Sequence, residues 1–287
     1  MGLRLFLFIA ATSACVHAIA AGAADAGAMV ALADKPVRII RGAQLYQGVS
    51  GTLVMKDDMI ESGLGGAQIE LGTDHIVALG PQTRLYLLAP GSDGQGQAEI
   101  ALLQGWIKVR NGSSSVTQIA TGTLQAGVAQ GAVIVHSEAG KDELFADSGE
   151  QQAARLDDKG KPGVPVKVPA ESYAFVDTGK PLVLQARPAK TFLAAMPPPF
   201  RDRLAPGPAL GKAARQPAVK DRDVIFADVE AWLSSNLAVR KTFVARFRPR
   251  LKDAQFRKEL DQALGQGSEW QSVLHPPAPR ARPNSQF

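Results

Sequence analysis

Residues 67–87 read AQIELGTDHIVALGPQTRLYL, three short apolar runs separated by two turn signals. Residues 69–71 and 85–87 alternate in the way of half-buried β-strands, whereas residues 76–79 are continuously apolar, as in a more fully buried strand. The turn signals contain Gly72 and Gly80-Pro81, and such residues favour tight reversals because glycine admits positive φ and proline blocks strand continuation. The stretch therefore predicts three consecutive strands joined by short turns.

The same pattern extends outward over residues 37–190. Residues 107–110 alternate again, and residues 132–135 form another continuous apolar run. Turn signals separate strands at intervals of about 8–12 residues with no helical pattern between them, which is typical of an all-β sandwich, barrel or solenoid. No strict repeat length is present, so the pattern leaves a β-sandwich and a β-solenoid open.

The middle of the chain resembles the FecR domain family from about residue 41 to residue 181. The resemblance rests on Gly51-Thr52-Leu53-Val54, on residues 60–63 and 67–87 with their Leu79-Gly80-Pro81-Gln82-Thr83-Arg84-Leu85 segment, and on Leu103-Gln104-Gly105-Trp106-Ile107-Lys108-Val109. Family members show a similar progression of turns and strands. The turn at residues 72–75 departs from the family's D-G-T pattern. The resemblance implies a mainly β domain in the bacterial envelope and brings no catalytic residue with it.

The best-known member of that family transduces a signal in ferric citrate uptake, through a cytoplasmic anti-sigma segment that precedes a membrane helix. In this chain the first twenty residues instead contain Arg4, an apolar run at residues 5–11 and small residues up to Ala20. That order is typical of a signal peptide over residues 1–20, with a mature N-terminus at about residues 19–24. An uncleaved anchor and a lipid on Cys15 are the alternatives. We therefore expect an exported, stand-alone version of the domain in the periplasm.

Composition divides the rest of the chain into three parts. Residues 197–222 are rich in proline without a hydrophobic period, which predicts an exposed linker. Residues 223–275 repeat apolar residues at helical spacing and predict a small helical module, and residues 276–287 predict a disordered tail. Within the module we expect a break at Pro249, an N-cap at Asp253 and a stop at Gly265. Two apolar stripes are expected to form its core: Ile225, Val229, Trp232, Leu233 and Leu237, and then Val239, Phe243, Phe247 and Leu251.

Residue types that carry chemistry are scattered. His75, His136 and His275 stand alone, the first in an expected turn and the second at an expected strand end, and none belongs to a metal-binding motif. Asp57-Asp58 lacks the surrounding calcium-loop pattern and is interpreted as a polar turn. Cys15 is the only cysteine, so removal of the signal peptide leaves no thiol. The sequence analysis therefore assigns no catalytic, cofactor or metal residue and predicts a protein that is not an enzyme.

Charge gives the one candidate site. Residues 201–287 carry sixteen Lys and Arg against nine Asp and Glu, while residues 21–200 carry fifteen against eighteen. Between residues 240 and 258 the only acidic residue is Asp253, and the candidate site consists of the eight basic residues Arg240, Lys241, Arg246, Arg248, Arg250, Lys252, Arg257 and Lys258. Such a face attracts anions over about 8 Å at physiological salt, although it can also be an ordinary solvated surface.

These observations predict a binding or scaffold module that contacts an envelope protein or an anionic envelope component, either a glycan or a lipid headgroup. Export makes nucleic acid an unsuitable partner, and the sequence leaves the oligomeric state unknown. An envelope hydrolase with a composite active site is the alternative, which would require a polar cleft with converging carboxylates.

Overall fold

The structure is a computed structural model that describes residues 28–72, 75–91, 97–112, 116–138, 140–208 and 215–276. The predicted signal peptide and residues 277–287 of the predicted tail lie outside the described residues. The described part is mainly β, with short helices toward its C-terminus, as the sequence pattern predicted. None of its helices has the length and apolar character needed to cross a membrane.

Strands account for most of residues 28–185. In chain order they are β1 (Ala28–Ala33), β2 (Val37–Arg41), β3 (Gln44–Gly48), β4 (Leu53–Val54), β5 (Asp58–Glu61), β6 (Ala67–Leu71), β7 (His75–Leu79), β8 (Arg84–Ala89), β9 (Gln97–Asn111), β10 (Val116–Ala120), β11 (Leu124–Val128), β12 (Gly131–Glu138), β13 (Lys141–Ser148), β14 (Gln151–Arg155), β15 (Val166–Val168), β16 (Tyr173–Asp177), β17 (Val183–Gln185) and β18 (Val219–Asp223).

The strands form a curled, almost wholly antiparallel arrangement of two sheets. Sheet A has the order β4-β1-β6-β7-β9-β12-β13-β16-β17. Sheet B has the order β18-β3-β2-β5-β8-β9-β10-β11-β14-β15, and within it β9 and β10 run parallel. Side chains from both sheets share one apolar core, including Ile39, Ile60 and Ile100 of sheet B and Val77, Val109 and Val133 of sheet A. The fold is therefore a two-sheet sandwich.

The long strand β9 belongs to both sheets and joins them. Its first half pairs with β8 and β10, and its second half pairs with β7 and β12. The change of sheet occurs at Gly105, whose φ is +92°. A Cβ at this position would lie 2.6 Å from Thr83 Oγ1 and 2.7 Å from Thr83 Cα. Only glycine fits this bend without strain, because the conformation and the close approach both exclude a side chain.

Both outer faces of the sandwich are also covered, which the alternating patterns did not predict. Tyr86 in β8 is 3% exposed and Lys108 in β9 is 1% exposed, although both positions were expected on a solvated face. Tyr86 lies under the C-terminal helices, and the Lys108 ammonium bonds to the backbone of residues 200 and 202. The burial arises from segments distant in the sequence, residues 200–202 for Lys108 and residues after 224 for Tyr86, so local alternation could not show it.

The outer face of sheet A is covered by the helix α1 (Lys190–Ala195) and a 3₁₀ turn, Pro198–Arg201. Phe192, Met196, Phe200 and Leu204 pack there against Trp106 and other residues of the sheet. Residues 197–222, which were predicted to be a linker, are therefore structured at both ends. The start of this segment packs on sheet A, and its end forms β18 on sheet B. Residues 209–214 of this segment lie outside the described residues.

The helical module covers the outer face of sheet B. Its elements are α2 (Phe226–Leu233), a 3₁₀ helix (Ala238–Thr242), α3 (Phe243–Phe247), a second 3₁₀ helix (Arg248–Lys252), α4 (Ala254–Leu264) and α5 (Ser268–Leu274). The Asp253 side chain caps α4 by accepting from the backbone N–H groups of residues 255 and 256, and Gly265 ends the helix, as predicted.

Two details of the predicted stripes are wrong. Ile225 is 50% exposed and precedes α2 as its N-cap, so it lies outside the buried stripe. The expected second helix is divided between two 3₁₀ helices and α3, which ends one residue before Arg248-Pro249. Phe243 and Phe247 are nevertheless fully buried, because the succession of short helices keeps both rings on the side that faces sheet B.

Candidate functional site

The helices that carry the basic residues are joined to sheet B by a partly buried polar network. Trp232 Nε1 in α2 donates to Glu61 Oε1 at 3.0 Å, and Glu61 Oε2 accepts from Arg38 at 3.0 Å. Arg38 also bonds to Asp228 Oδ1 at 2.6 Å, and a second arginine, Arg222, bonds to Asp228 Oδ2 at 2.5 Å. Glu61 belongs to β5 and Asp228 belongs to α2, and Arg38 bonds to both carboxylates. These bonds fix the module to the sandwich.

Arg246, one of the eight candidate residues, is wholly engaged in the same docking. Its Nε donates to the carbonyl of Gly42 at 2.8 Å, and its Nη1 and Nη2 donate to the carbonyls of Asp57 and Ile40 at 2.6 and 2.7 Å. The guanidinium also lies 5.7 Å from the centre of the Tyr86 ring. Burial lowers the pKa of Arg246, while nearby Tyr86 and the Asp57-Asp58 pair act in the opposite direction. This side chain therefore fastens α3 to sheet B, because backbone carbonyls engage all three of its guanidinium nitrogens.

Three further candidates serve the module itself. Arg250 donates to the carbonyl of Val224 at 2.9 Å and forms ion pairs with Asp223 and Asp253 at 3.3 and 2.8 Å. Arg240 donates to the carbonyl of Ser235 and pairs with Glu269 at 3.1 Å. The exposed Arg257 donates to the carbonyl of Leu274 at the end of α5. These arginines stabilise connections between helices.

The remaining four candidates form what we call the free basic set: Lys241, Arg248, Lys252 and Lys258. All four are exposed, and none forms an ion pair or a side-chain hydrogen bond with any residue in the described part of the chain. Lys241 lies in the last turn of the first 3₁₀ helix, Arg248 and Lys252 lie at the two ends of the second, and Lys258 lies on α4 between the buried Phe256 and Leu260. The eight-residue site thus divides into four structural arginines and four free cations.

A polar cluster on sheet A is the place where the structure brings chemistry-bearing residues together. His136 Nδ1 lies 2.9 Å from Glu143 Oε2, and the His136 ring stacks on Trp106 with centres 4.0 Å apart. Glu143 Oε1 accepts from Lys141 Nζ at 2.5 Å and from the Tyr173 hydroxyl. His136 lies within β12, inside a strand where a strand end was expected.

The cluster is built to keep one carboxylate ionised. Burial acts to raise the pKa of Glu143, but hydrogen bonds from His136, Lys141 and Tyr173 together lower it to about 2. Burial and the adjacent Glu143 carboxylate raise the pKa of the Tyr173 hydroxyl far above its usual range. At neutral pH the glutamate is therefore a fixed anion and the tyrosine a fixed donor, an arrangement that suits structural cohesion.

The other singled-out residues have structural surroundings. His75 begins β7 and is buried, although it was expected in a turn. Asp58 is fully buried and accepts both Arg41 Nε at 2.9 Å and the backbone N–H of Met55 at 2.8 Å. Asp57, at φ 67°, lies in the predicted polar turn and accepts from the Tyr86 hydroxyl, whereas Asp58 is already the first residue of β5. In the ranges that the structure describes, no three His, Cys, Asp or Glu side chains are placed to hold a metal ion.

Sequence reasoning missed a second group of cations. Arg110, Arg201 and Arg203 line one cleft on the outer face of sheet A, on the opposite side of the sandwich from the helices. Residue 110 lies in a strand, and the other two lie in the segment that was expected to be a linker. Arg110 lies far from the other two in sequence, so no local pattern indicated the cluster. The only local signal was the pair Arg201 and Arg203 on either side of Asp202.

Comparison with known proteins finds similarity to solved structures alone. No protein-family model and no curated protein matches it. Two crystal structures of a "putative anti-sigma factor" from Parabacteroides distasonis ATCC 8503 are similar in structure, with 13% and 11% sequence identity and TM-scores of 0.38 and 0.37. Each match covers 47% of this chain and 62% or 61% of the other chain. Similarity at this level carries no argument about function. The fold itself places the molecule in the class of β-sandwich proteins with a helical module on one sheet.

Proposed function

We propose that this chain is an exported, FecR-like binding module of the bacterial envelope that performs no catalysis. The helical module at residues 226–274, which we call the helical cap, presents the free basic set to an anionic surface, and the sandwich supplies a rigid base. The observation that carries this proposal is the division of the basic residues. Four arginines are consumed by packing and pairing, yet Lys241, Arg248, Lys252 and Lys258 remain exposed without a partner among the described residues.

The geometry suits a surface rather than an enclosed ligand. The four side chains are distributed over two 3₁₀ helices and α4 within eighteen residues, and the aromatic rings beneath them are buried. Long basic side chains on such a framework can extend their charged ends away from the apolar core. Near an anionic surface each one contributes on the order of 1 kcal/mol, and the attraction weakens as salt shortens the screening length. The expected attachment is multivalent and sensitive to salt.

Binding is favoured over the alternative of hydrolysis by the state of the polar cluster. The hydrolase alternative requires carboxylates that converge on a substrate, one of them able to donate or accept a proton near neutral pH. The cluster contains one carboxylate, that of Glu143, and its pKa is lowered to about 2, so the cluster does not supply such a pair. Glu143 also has both oxygens occupied by hydrogen bonds from the protein itself.

The experiment compares two variants with the same loss of charge. The test variant is K241Q/R248Q/K252Q/K258Q. The matched control is K35Q/K159Q/R187Q/K190Q, which removes three lysines and one arginine that are also exposed and form no ion pair within the described residues. Binding is measured by sedimentation with vesicles containing phosphatidylglycerol and with purified cell-wall sacculi, at about 0.05 M and 0.5 M salt.

We expect the test variant to bind at least about tenfold more weakly than the wild type at low salt, because it loses four cations worth on the order of 1 kcal/mol each. The control variant should bind like the wild type, and high salt should release both. The vesicle and sacculus arms distinguish a lipid headgroup from a glycan. Equal binding by both variants, or binding that salt leaves unchanged, would show that the free basic set is an ordinary solvated surface.

Export is a separate part of the proposal and has its own test. Signal peptidase cleavage after the apolar run at residues 5–11 should give a mature N-terminus at about residues 19–24. N-terminal sequencing of the protein from a periplasmic extract measures this directly. A start at Met1, or a lipid attached to Cys15, would contradict the proposed cleavage at residues 19–24.

A further inference from the structure

A basic cleft of about 590 Å³ lies on the outer face of sheet A, where the 198–204 segment crosses β9 and β12. Four cations line it, namely Lys108, Arg110, Arg201 and Arg203, and one carboxylate, that of Asp147. The cleft is on the opposite face of the sandwich from the helical cap. It is therefore independent of the free basic set and of the function proposed for it.

The segment that carries two of the arginines is held firmly against the sheet. The ammonium of Lys108 donates to the carbonyls of Phe200 and Asp202, at 2.8 and 2.9 Å, so it grips the backbone on both sides of Arg201. The side chains of Phe200 and Leu204 are buried against the sheet. Arg201 and Arg203 thus project from a fixed backbone, which lowers the entropy lost when they close on a ligand.

The carboxylate at the cleft is already in use. Asp147 Oδ2 lies 2.9 Å from Lys108 Nζ, and this ion pair offsets the charge of the buried lysine. The three arginines have no hydrogen-bond acceptor and no ion-pair partner among the described residues, and the Nε atom of the half-buried Arg110 is shielded from solvent without a partner. Three guanidinium groups therefore share one cleft with no anion of the protein to neutralise them.

We infer that this cleft binds a phosphomonoester group. Guanidinium forks match the oxygen geometry of phosphate and donate pairs of charge-assisted hydrogen bonds to it. A phosphomonoester offers three terminal oxygens and a charge of about −1.5 to −2 at neutral pH, which suits three unpaired cations better than the single charge of a carboxylate. The cleft volume admits a phosphate together with a small attached group such as glycerol or a sugar.

The test uses the whole mature chain and two matched variants. R201Q/R203Q removes two exposed arginines of the cleft, and R187Q/R215Q removes two exposed arginines elsewhere that likewise make no hydrogen bond within the described residues. Binding of glycerol 3-phosphate is measured by calorimetry, with succinate as the carboxylate probe. Sedimentation with phosphatidic acid vesicles, against phosphatidylcholine vesicles, tests a headgroup as the source of the phosphate. R110Q provides a third variant, and thermal unfolding shows whether each variant is folded.

We expect the wild type and R187Q/R215Q to bind glycerol 3-phosphate or phosphatidic acid vesicles, with a Kd of about 1 mM or tighter for the soluble probe. R201Q/R203Q should weaken that binding at least about tenfold while remaining folded, since it loses charge-assisted hydrogen bonds. Binding to the vesicles alone would identify a headgroup as the ligand. Absence of binding to both phosphate probes, equal losses in the two double variants, or equal affinity for succinate would overturn the inference.

Discussion

At the scale of single residues, two arginines only two positions apart have different roles. All three guanidinium nitrogens of Arg246 donate to carbonyls of β2 and of the turns beside β2 and β5, whereas Arg248 is exposed and makes no contact of this kind. A charge count along residues 240–258 treats the two alike. The structure shows that hydrogen-bond geometry, which the sequence does not display, decides which arginines remain available to a partner.

The Glu143 cluster gives a prediction about pH. Hydrogen bonds and ion pairing hold the pKa of Glu143 at about 2, below the value of 4.5 for an unperturbed glutamate, so the unfolded chain takes up this proton first as pH falls. The glutamate therefore stabilises the folded state fully above about pH 4.5, and that contribution declines toward pH 2. We expect the difference in unfolding free energy between wild type and E143Q to shrink over this range.

Urea unfolding at several pH values between about 2.5 and 6 measures that difference. The control is E138Q, since Glu138 is exposed at the end of β12 and forms no ion pair within the described residues. Its difference from the wild type should stay constant across the range. A constant difference for E143Q as well would show that the cluster does not hold the carboxylate ionised.

At the scale of elements, the sandwich depends on one strand that bends from sheet B into sheet A. Gly105 permits the bend, because a side chain there would meet Thr83 in a conformation with φ of +92°. We expect G105A to lower the unfolding free energy by about 3 kcal/mol or more, combining backbone strain with overpacking.

The matched control for that substitution is G179A. Gly179 has a similar φ of +76°, but a Cβ there would meet nothing within 4 Å. The control should therefore lose only the conformational term, about 1 kcal/mol. Urea denaturation of both variants gives the comparison, and equal losses would mean that the close approach to Thr83 does not constrain the bend.

The sequence pattern predicted the strands, turns and helix ends better than it predicted which of their side chains are buried by distant segments. The alternating runs at residues 69–71 and 85–87 and the continuous apolar run at residues 76–79 lie within strands, and the Asp253 cap and Gly265 stop lie where the local chemistry requires them. Local signals determine such features because turns and caps need particular residues at particular positions. The burial of Lys108 and the arginine cleft depend instead on contacts across 92 residues or more, which no local period encodes.

At the scale of the whole molecule, the two parts that composition separates share one interior. Tyr86 and Met59 of sheet B pack in the same apolar cluster as Trp232, Phe243 and Phe247 of the helices. The Tyr86 and Phe243 rings meet edge to face, with centres 5.5 Å apart. We therefore expect the sandwich and the helical cap to unfold in one cooperative transition.

The variant W106F tests this, because its remaining tryptophans, Trp232 and Trp270, both lie in the helical cap. Urea midpoints from tryptophan fluorescence, which reports the cap, and from far-ultraviolet dichroism, which reports the secondary structure of the whole chain, should coincide. A fluorescence transition at clearly lower urea would show that the cap unfolds alone, as expected of two independent modules.

The basic run divides into structural arginines and the free basic set. This division is tested most directly by measuring the unfolding free energy and the envelope binding of two variants, one from each group. R246Q should lose about 2–4 kcal/mol of unfolding free energy, because three carbonyls lose a charged donor, and its binding to anionic vesicles or sacculi should change less than about twofold while it is folded. K241Q/R248Q/K252Q/K258Q should keep its stability within about 1 kcal/mol and lose binding at least about tenfold. The opposite pattern, with binding lost in folded R246Q and retained in the quadruple variant, would contradict this division of roles.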